Sequence, residues 1–238
     1  QFLTNDGRPM DEFADIGELE FSETPVGMVY INTRRVADDV WVRMGELIPP
    51  NIQQTPGHPN LPYSYEEGEN EVCFSPRFTK WVVPLDDTHT MSILVFHPRK
   101  DQPPGSIASD QTRSLLSPSL ISGENEKVDR SYEERQRNPG DYEAEVSQRP
   151  IAVHAMEHLG ATDRGVTLLR KILRQGIRAV QRGETPKGVW TEADGIISTY
   201  GSDTIMRIPP APTLEEDNKL LRETGKMVLV KHIKDPPL

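Results

Sequence analysis

The N-terminal part of the chain consists of short apolar stretches rich in β-branched and aromatic residues, the composition that β-strands favour. Pro and Gly residues between these stretches predict turns. The predicted strands are Glu20–Arg34, Asp39–Ile48, Glu71–Val83 and Thr88–Phe96. Because no helical period separates them, we expect an antiparallel sheet.

The pattern changes after this region. From Pro98 to Asp141 the chain is polar, which predicts a long surface loop. A helical period begins at Asp141 and is interrupted at Pro150, which lacks the backbone N–H that a helix interior needs. Apolar residues at three-and-four spacing then predict an amphipathic helix that ends at Gly183: Val166, Leu169, Ile172, Leu173, Ile177 and Val180.

The C-terminal region predicts a short helix over Glu215–Arg222 and a short strand over Met227–Val230. Together these elements define an α+β fold, an antiparallel sheet with helices toward the C-terminal half. A chain of 238 residues is within the size of one large domain. We therefore expect a single domain.

Charge and hydrophobicity exclude two classes of partner. The formal net charge is −10, whereas a nucleic-acid surface needs an excess of Lys and Arg. No apolar run approaches the roughly 18 residues of a membrane-spanning helix, and no signal peptide is evident at the N-terminus. The expected protein is cytoplasmic and binds neither nucleic acid nor membrane.

Cys73 is the sole cysteine of the chain. It excludes an intrachain disulfide and a Cys-rich zinc site. A Rieske cluster needs two Cys and two His ligands, which this chain cannot supply.

His154, Glu157 and His158 match the H-x-x-E-H pattern of zinc peptidases, in which two His one helical turn apart bind Zn²⁺ and the Glu activates water. The pattern is short, and no further His or Glu is clearly placed to complete the metal site. The alternatives are that one of these His residues occupies a packed or hydrogen-bonded core position, or that they have a surface or interface role.

Asp141 opens the helical segment, where a carboxylate suits a helix N-cap. It also begins a longer pattern, made of Asp141, Gln148, Ile151, the run Glu157-His158-Leu159-Gly160, and Asp163 before the long helix. Upstream lies Trp81-Val82-Val83-Pro84-Leu85-Asp86-Asp87. The whole pattern resembles the catalytic, C-terminal domain of phthalate-dioxygenase-like Rieske non-haem iron oxygenases, which hydroxylate aromatic rings.

The resemblance implies a helix-grip catalytic domain in which Asp141 is the carboxylate of a 2-His-1-carboxylate triad that holds Fe(II). It implies a terminal oxygenase that uses O₂ to hydroxylate or demethylate an aromatic compound. Electrons would arrive from a reductase or ferredoxin through a [2Fe-2S] Rieske cluster, and the assembly would be a homotrimer or hexamer.

The resemblance also has a gap. The family's two His ligands lie upstream on a helix, and no His precedes His58 in this chain. The chain also begins with Gln1, as a sequence entered partway does. We therefore expect residues 1–238 to be one portion of a catalytic domain, with the His-bearing helix and the Rieske domain outside this chain.

Two arginines are candidates for substrate binding. Arg34 and Arg35 end a predicted strand that the resemblance places near the active-site cavity. A guanidinium there could bind a substrate carboxylate through paired hydrogen bonds. The alternative is a solvated strand end.

Three functions are thus open. The first is the oxygenase with Asp141 as a metal ligand. The second is a non-catalytic or split helix-grip subunit of an oxygenase assembly, which needs no iron. The third is a zinc hydrolase that uses His154 and His158.

Overall fold

The computed structural model describes residues 17–57, 63, 65–97, 131–137, 141–190 and 195–236. The predicted loop from Pro98 lies largely outside these residues. The chain divides into two compact units. One contains Gln1–Val83, Met91–Arg99 and Leu159–Leu238, and the other contains Pro84–Thr90 and Lys100–His158.

The predicted antiparallel sheet is confirmed, with eight strands in the described part of the chain. The strands are β1 (Glu18–Glu23), β2 (Met28–Val36), β3 (Asp39–Ile48), β4 (Ile52–Thr55), β5 (Glu71–Phe74), β6 (Phe78–Pro84), β7 (Thr90–Phe96) and β8 (Ser202–Arg207). Their order is β1-β2-β3-β4-β6-β7, and β8 pairs with both β3 and β5. The sheet thus joins strands from both ends of the chain.

Two predicted strands are each divided by a turn. Glu20–Arg34 is β1 and β2, because the backbone turns back where the Thr24 amide donates to the Gly27 carbonyl at 3.0 Å. Glu71–Val83 is β5 and β6, separated at Pro76, which cannot donate to a strand ladder. β4 and β8 were not predicted, because both are short and β8 is polar for most of its length.

The described helices are α1 (Tyr132–Arg137), α2 (Asp141–Val146), α3 (Arg164–Gln181) and α4 (Leu214–Lys234). The prediction of α3 is confirmed. The predicted strand Met227–Val230 is wrong, because these residues continue α4. Four residues of α4 at helical spacing are buried, namely Leu221, Val228, Leu229 and His232.

One face of the sheet packs on α4. The core there joins sheet residues Val29, Ile31, Val40, Val42 and Met44 to α4 residues Leu221, Val228 and Leu229. A side chain at Gly225 would place its Cβ 2.6 Å from Thr33 Oγ1. Glycine at this position therefore lets the α4 backbone approach β2 closely.

Helix α3 lies against β1. The Phe21 ring occupies the space that a side chain at Gly165 would take, 2.2 Å from the ideal Cβ position. Lys171 of α3 also forms an ion pair of 2.9 Å with Glu23. Within the described residues, no helix has the length and apolar character needed to cross a membrane.

Candidate functional site

Asp141 is the first residue of α2. This agrees with a helix-opening carboxylate, but its side chain lies outside what the structure describes. Its assignment as an iron ligand therefore stays a prediction.

The H-x-x-E-H residues do not form the α-helix on which a zinc-peptidase site depends. His154–Met156 is a single 3₁₀ turn, and the backbone at Glu157 is extended, with φ −79° and ψ 139°. His154 Nε2 lies 4.0 Å from Glu157 Oε1. The two His residues are therefore not one turn apart on a common helix, and the structure does not support the zinc hypothesis.

The end of the recognised pattern has a structural role. The Gly160 amide donates to Asp163 Oδ2 at 2.8 Å, and the Asp163 amide donates to the Gly160 carbonyl at 3.1 Å. These reciprocal bonds close a 3₁₀ turn that leads directly into α3. Asp163 thus fixes the start of the longest predicted helix.

Arg35 links the sheet to the start of α4. Its guanidinium donates to both Asp217 oxygens, from Nε at 3.1 Å and from Nη2 at 2.5 Å. Nη1 donates to the carbonyls of Asp39 and Ile208. The hydrogen bond from Arg35 holds the pKa of the Asp217 carboxyl below its usual range, so the pair is charged at neutral pH.

Arg34 points to the opposite face of β2, because successive side chains of a strand alternate between faces. A Cβ at Gly17 would lie 2.8 Å from Arg34 Cγ, so the side chain packs beside β1. The two arginines therefore cannot line one pocket on one side of the sheet. Whether Arg34 or Arg35 binds substrate stays a prediction.

A buried charged group on the sheet face opposite α4 was not predicted. Arg43 and Asp203 are directly opposite each other on β3 and β8, with Nε and Oδ1 3.5 Å apart. The indole N–H of Trp41 donates to the same Oδ1 at 2.9 Å. Burial raises the pKa of Asp203 to about 7, against the opposing effects of Arg43, the Trp41 indole and the Gly57 backbone amide.

Tyr30 extends this group along the same face. Its ring crosses β3 at Gly45, where a Cβ would lie 2.1 Å from the ring. Burial raises the pKa of the Tyr30 hydroxyl, and the charges of Arg43 and Asp203 act on it in opposite directions. The sequence signal for this group is Asp203, a charged residue directly before the β-branched residues Thr204 and Ile205.

A second buried carboxyl, Glu46, lies on the face that packs on α4. Its Oε1 accepts from the Thr24 hydroxyl at 2.9 Å, and its Oε2 accepts from the Tyr200 amide at 2.6 Å. Burial raises its pKa to about 7. Glu46 therefore ties the β1–β2 turn to the segment that enters β8.

The ligand sets of the implied metal groups are not found among the described residues. No three His, Cys, Asp or Glu side chains there lie close enough to hold a metal ion. The single cysteine cannot supply the two thiolates of a Rieske cluster. Both groups would need ligands beyond the described part of this chain.

Two curated proteins are similar to the chain over most of its length. The chain is 31% identical over 204 residues, 85% of its length, to the tert-butanol monooxygenase / tert-amyl alcohol desaturase oxygenase subunit of Aquincola tertiaricarbonis, and covers 42% of that protein. It is 28% identical over 189 residues, 79% of its length, to the phenoxybenzoate dioxygenase subunit alpha of Ectopseudomonas oleovorans, and covers 41% of it. No protein-family model matches the chain.

The predicted resemblance to the Rieske-type oxygenases is confirmed by these two relatives, and the chain is homologous to oxygenase subunits. Both relatives are named as components of oxygenases, which are oxidoreductases. The chain spans about two fifths of the length of the curated relatives it matches.

Proposed function

We propose that the chain is the catalytic portion of a terminal oxygenase that uses mononuclear Fe(II) and O₂ to hydroxylate or demethylate an aromatic compound. The observation that carries the proposal is the 31% identity to an oxygenase subunit over 85% of the chain. The position of Asp141 at the start of α2 supports it. Electrons would be delivered by a reductase or ferredoxin through a [2Fe-2S] cluster held outside this chain.

Within this proposal, Asp141 provides one carboxylate ligand to Fe(II). Two His ligands come from a segment outside residues 1–238, and together the three ligands leave coordination positions open to O₂. We include a homotrimeric or hexameric assembly in the proposal, as the resemblance implies. Arg34 or Arg35 would bind a carboxylate of the substrate. In the case of Arg35, this carboxylate would compete with Asp217 for the guanidinium.

The test is metal analysis of the intact protein after anaerobic reconstitution with Fe(II). The wild-type protein is expected to hold about one mononuclear iron per active site. Asp141→Asn is expected to lose most of this iron, because a neutral amide binds Fe(II) more weakly than a carboxylate does. The matched control is Asp163→Asn, which alters another aspartate of the same sequence pattern but leaves the proposed ligands intact.

Equal iron content in the two variants would remove Asp141 from the ligand set. Absence of iron from the intact wild-type protein would contradict the oxygenase proposal and favour a non-catalytic subunit. Zinc that depends on His154 and His158 would favour the hydrolase.

A further inference from the structure

The last turn of α4 has one buried side chain, and that side chain is ionisable. His232 is 3% exposed, whereas its neighbours Lys231 and Ile233 lie on the surface. The preceding turn is held by the apolar side chains of Val228 and Leu229, which belong to the core. The attachment of the last turn to the sheet therefore depends largely on the surroundings of one imidazole.

Both ring nitrogens of His232 contact side chains of the sheet. Nδ1 lies 3.2 Å from the Ser202 hydroxyl oxygen on β8, and Nε2 lies 3.9 Å from the Cys73 sulfur on β5. Cys73 is directly opposite Thr204 on β8, whose hydroxyl donates to the same sulfur at 3.5 Å. Burial raises the pKa of the Cys73 thiol, so the imidazole joins α4 to both strands through uncharged groups.

A neutral imidazole fits these partners, and an imidazolium does not. The neutral ring has one donor and one acceptor nitrogen, and a hydroxyl or a thiol can complement either of them. The imidazolium has two N–H donors and a positive charge. Within the described residues, no carboxylate forms a hydrogen bond or ion pair with this ring. A buried charge without a charged partner is costly.

The charged groups around the ring do not offset this cost. Burial is the main cause that lowers the pKa of His232, and the charge of Lys231 lowers it further. Glu71 of β5 and Asp235 at the end of α4 raise it by smaller amounts, and Glu71 forms an ion pair of 2.6 Å with Lys231. The C-terminal end of a helix favours positive charge, but Lys231 and Lys234 already supply it there.

We propose that the last turn of α4 is an acid-sensitive contact, in which protonation of His232 releases residues 231–234 from β5 and β8. Release lets the imidazolium reach water, which solvates its charge. The rest of α4 stays packed on the sheet, because Leu221, Val228 and Leu229 carry no ionisable group. The contact involves no metal and is independent of the proposed oxygenase function.

Hydrogen–deuterium exchange of the intact protein measures this release, because a turn that packs on nothing frays. Each rate is expressed as a protection factor, so that the intrinsic pH dependence of exchange cancels. As the pH falls below 6.5, the ordinary pKa of histidine, the protection factor of the last-turn amides is expected to fall by up to about tenfold per pH unit. The amides around Leu221 and Val228 are expected to keep theirs.

The expected loss opposes the trend of the whole protein. Burial raises the pKa of Glu46 to about 7, and this group therefore stabilises the folded state as the pH falls. Acid should consequently loosen the last turn of α4 under conditions in which Glu46 strengthens the core.

Two substitutions at Cys73 test the cause, because Asp and Asn differ in charge and hardly in size. Cys73→Asp places a carboxylate beside Nε2 of His232 that pairs with the imidazolium, so protection of the last turn is expected to persist in acid. Cys73→Asn is the matched control, which places a neutral side chain there and should retain the acid sensitivity.

His232→Gln removes the titrating group and should make the protection factor of the last turn independent of pH over the same range. The Cys73 pair keeps the test decisive if the glutamine side chain does not pack in place of the imidazole.

A protection factor that stays constant in acid in the wild-type protein would overturn the proposal. So would an acid sensitivity that Cys73→Asp and Cys73→Asn share, because the release would then not depend on the charge of His232. An equal loss of protection along the whole of α4 would assign the acid effect to unfolding of the molecule, and would likewise overturn it.

Discussion

Glu46 and Asp203 are buried carboxyls on opposite faces of the sheet, each with a pKa raised by burial to about 7. They differ in their partners. Glu46 accepts a hydrogen bond at each oxygen, whereas Asp203 accepts from the Trp41 indole and faces the Arg43 guanidinium. Both carboxyls therefore connect distant segments of the sheet through their hydrogen bonds and ion contacts.

The titration of Glu46 predicts a pH dependence of stability. Its folded pKa of about 7 exceeds its ordinary value of 4.5, so the folded protein holds more protons than the unfolded chain between these values. The free energy of unfolding should fall as pH rises from 4.5 to about 7, with a contribution of the order of 3 kcal/mol from this group, and level off above. Urea unfolding across this range measures the slope.

Glu46→Gln should remove the part of the slope due to Glu46. Its amide oxygen can accept from Tyr200, and its amide nitrogen can donate to the Thr24 hydroxyl, so the fold should persist. Asp203 also has a raised pKa and should supply the remaining slope. An unchanged slope in this variant would show that Glu46 does not titrate as stated.

Arg35 provides a second prediction at this scale. Arg35→Ala leaves the mostly buried carboxylate of Asp217 without its charged partner, and should lower the free energy of unfolding by about 2 kcal/mol. Arg222→Ala is the control, because its ion pair with Glu18 is more exposed and should contribute less than about 1 kcal/mol. Similar losses measured by urea unfolding would argue against a structural role for Arg35.

At the scale of elements, the contact between α4 and the sheet depends on Gly225. Gly225→Ala should destabilise the protein, although alanine favours helices, because its Cβ would lie 2.6 Å from Thr33 Oγ1. Gly176→Ala in α3 is the matched control, since its Cβ would meet Pro186 at an ordinary 3.5 Å.

We expect the control to stabilise the protein by about 0.5 to 1 kcal/mol through helix propensity. A lower unfolding temperature for Gly225→Ala together with a higher one for Gly176→Ala would establish the close approach of α4 to the sheet. A gain of stability in both variants would mean that the two elements can separate without cost.

At the scale of the whole molecule, β7 leaves an apolar edge. It is the last strand in the order of the sheet, and four of its apolar side chains are exposed: Met91, Ile93, Leu94 and Val95. Exposed apolar edge strands promote association. Since the chain covers about two fifths of its relatives, we expect the 238-residue chain alone to self-associate through this edge.

Ile93→Lys should raise the monomer fraction in sedimentation velocity, because a charged side chain at an edge strand opposes pairing. Val180→Lys on α3 is the control, as it replaces a similarly exposed apolar residue away from the edge. If both variants associate as the wild type does, β7 is not the contact.

The sequence by itself predicted the resemblance to oxygenase subunits and much of the local structure. The composition of Asp39–Ile48 predicted β3, and the three-and-four spacing from Val166 to Val180 predicted α3, because both patterns depend on residues close in the chain. The pattern from Asp141 to Asp163 was sufficient for the resemblance that the two relatives confirm. The single cysteine excluded a cluster held by this chain.

Only the tertiary structure decided which distant residues meet. Met227–Val230 has strand composition, but it is helical because Val228 and Leu229 pack on the sheet together with Leu221 at helical spacing. The pairing of β3 with β8 brings Arg43 and Asp203 together although 160 residues separate them in the chain. Such contacts depend on long-range register, which local sequence patterns do not specify.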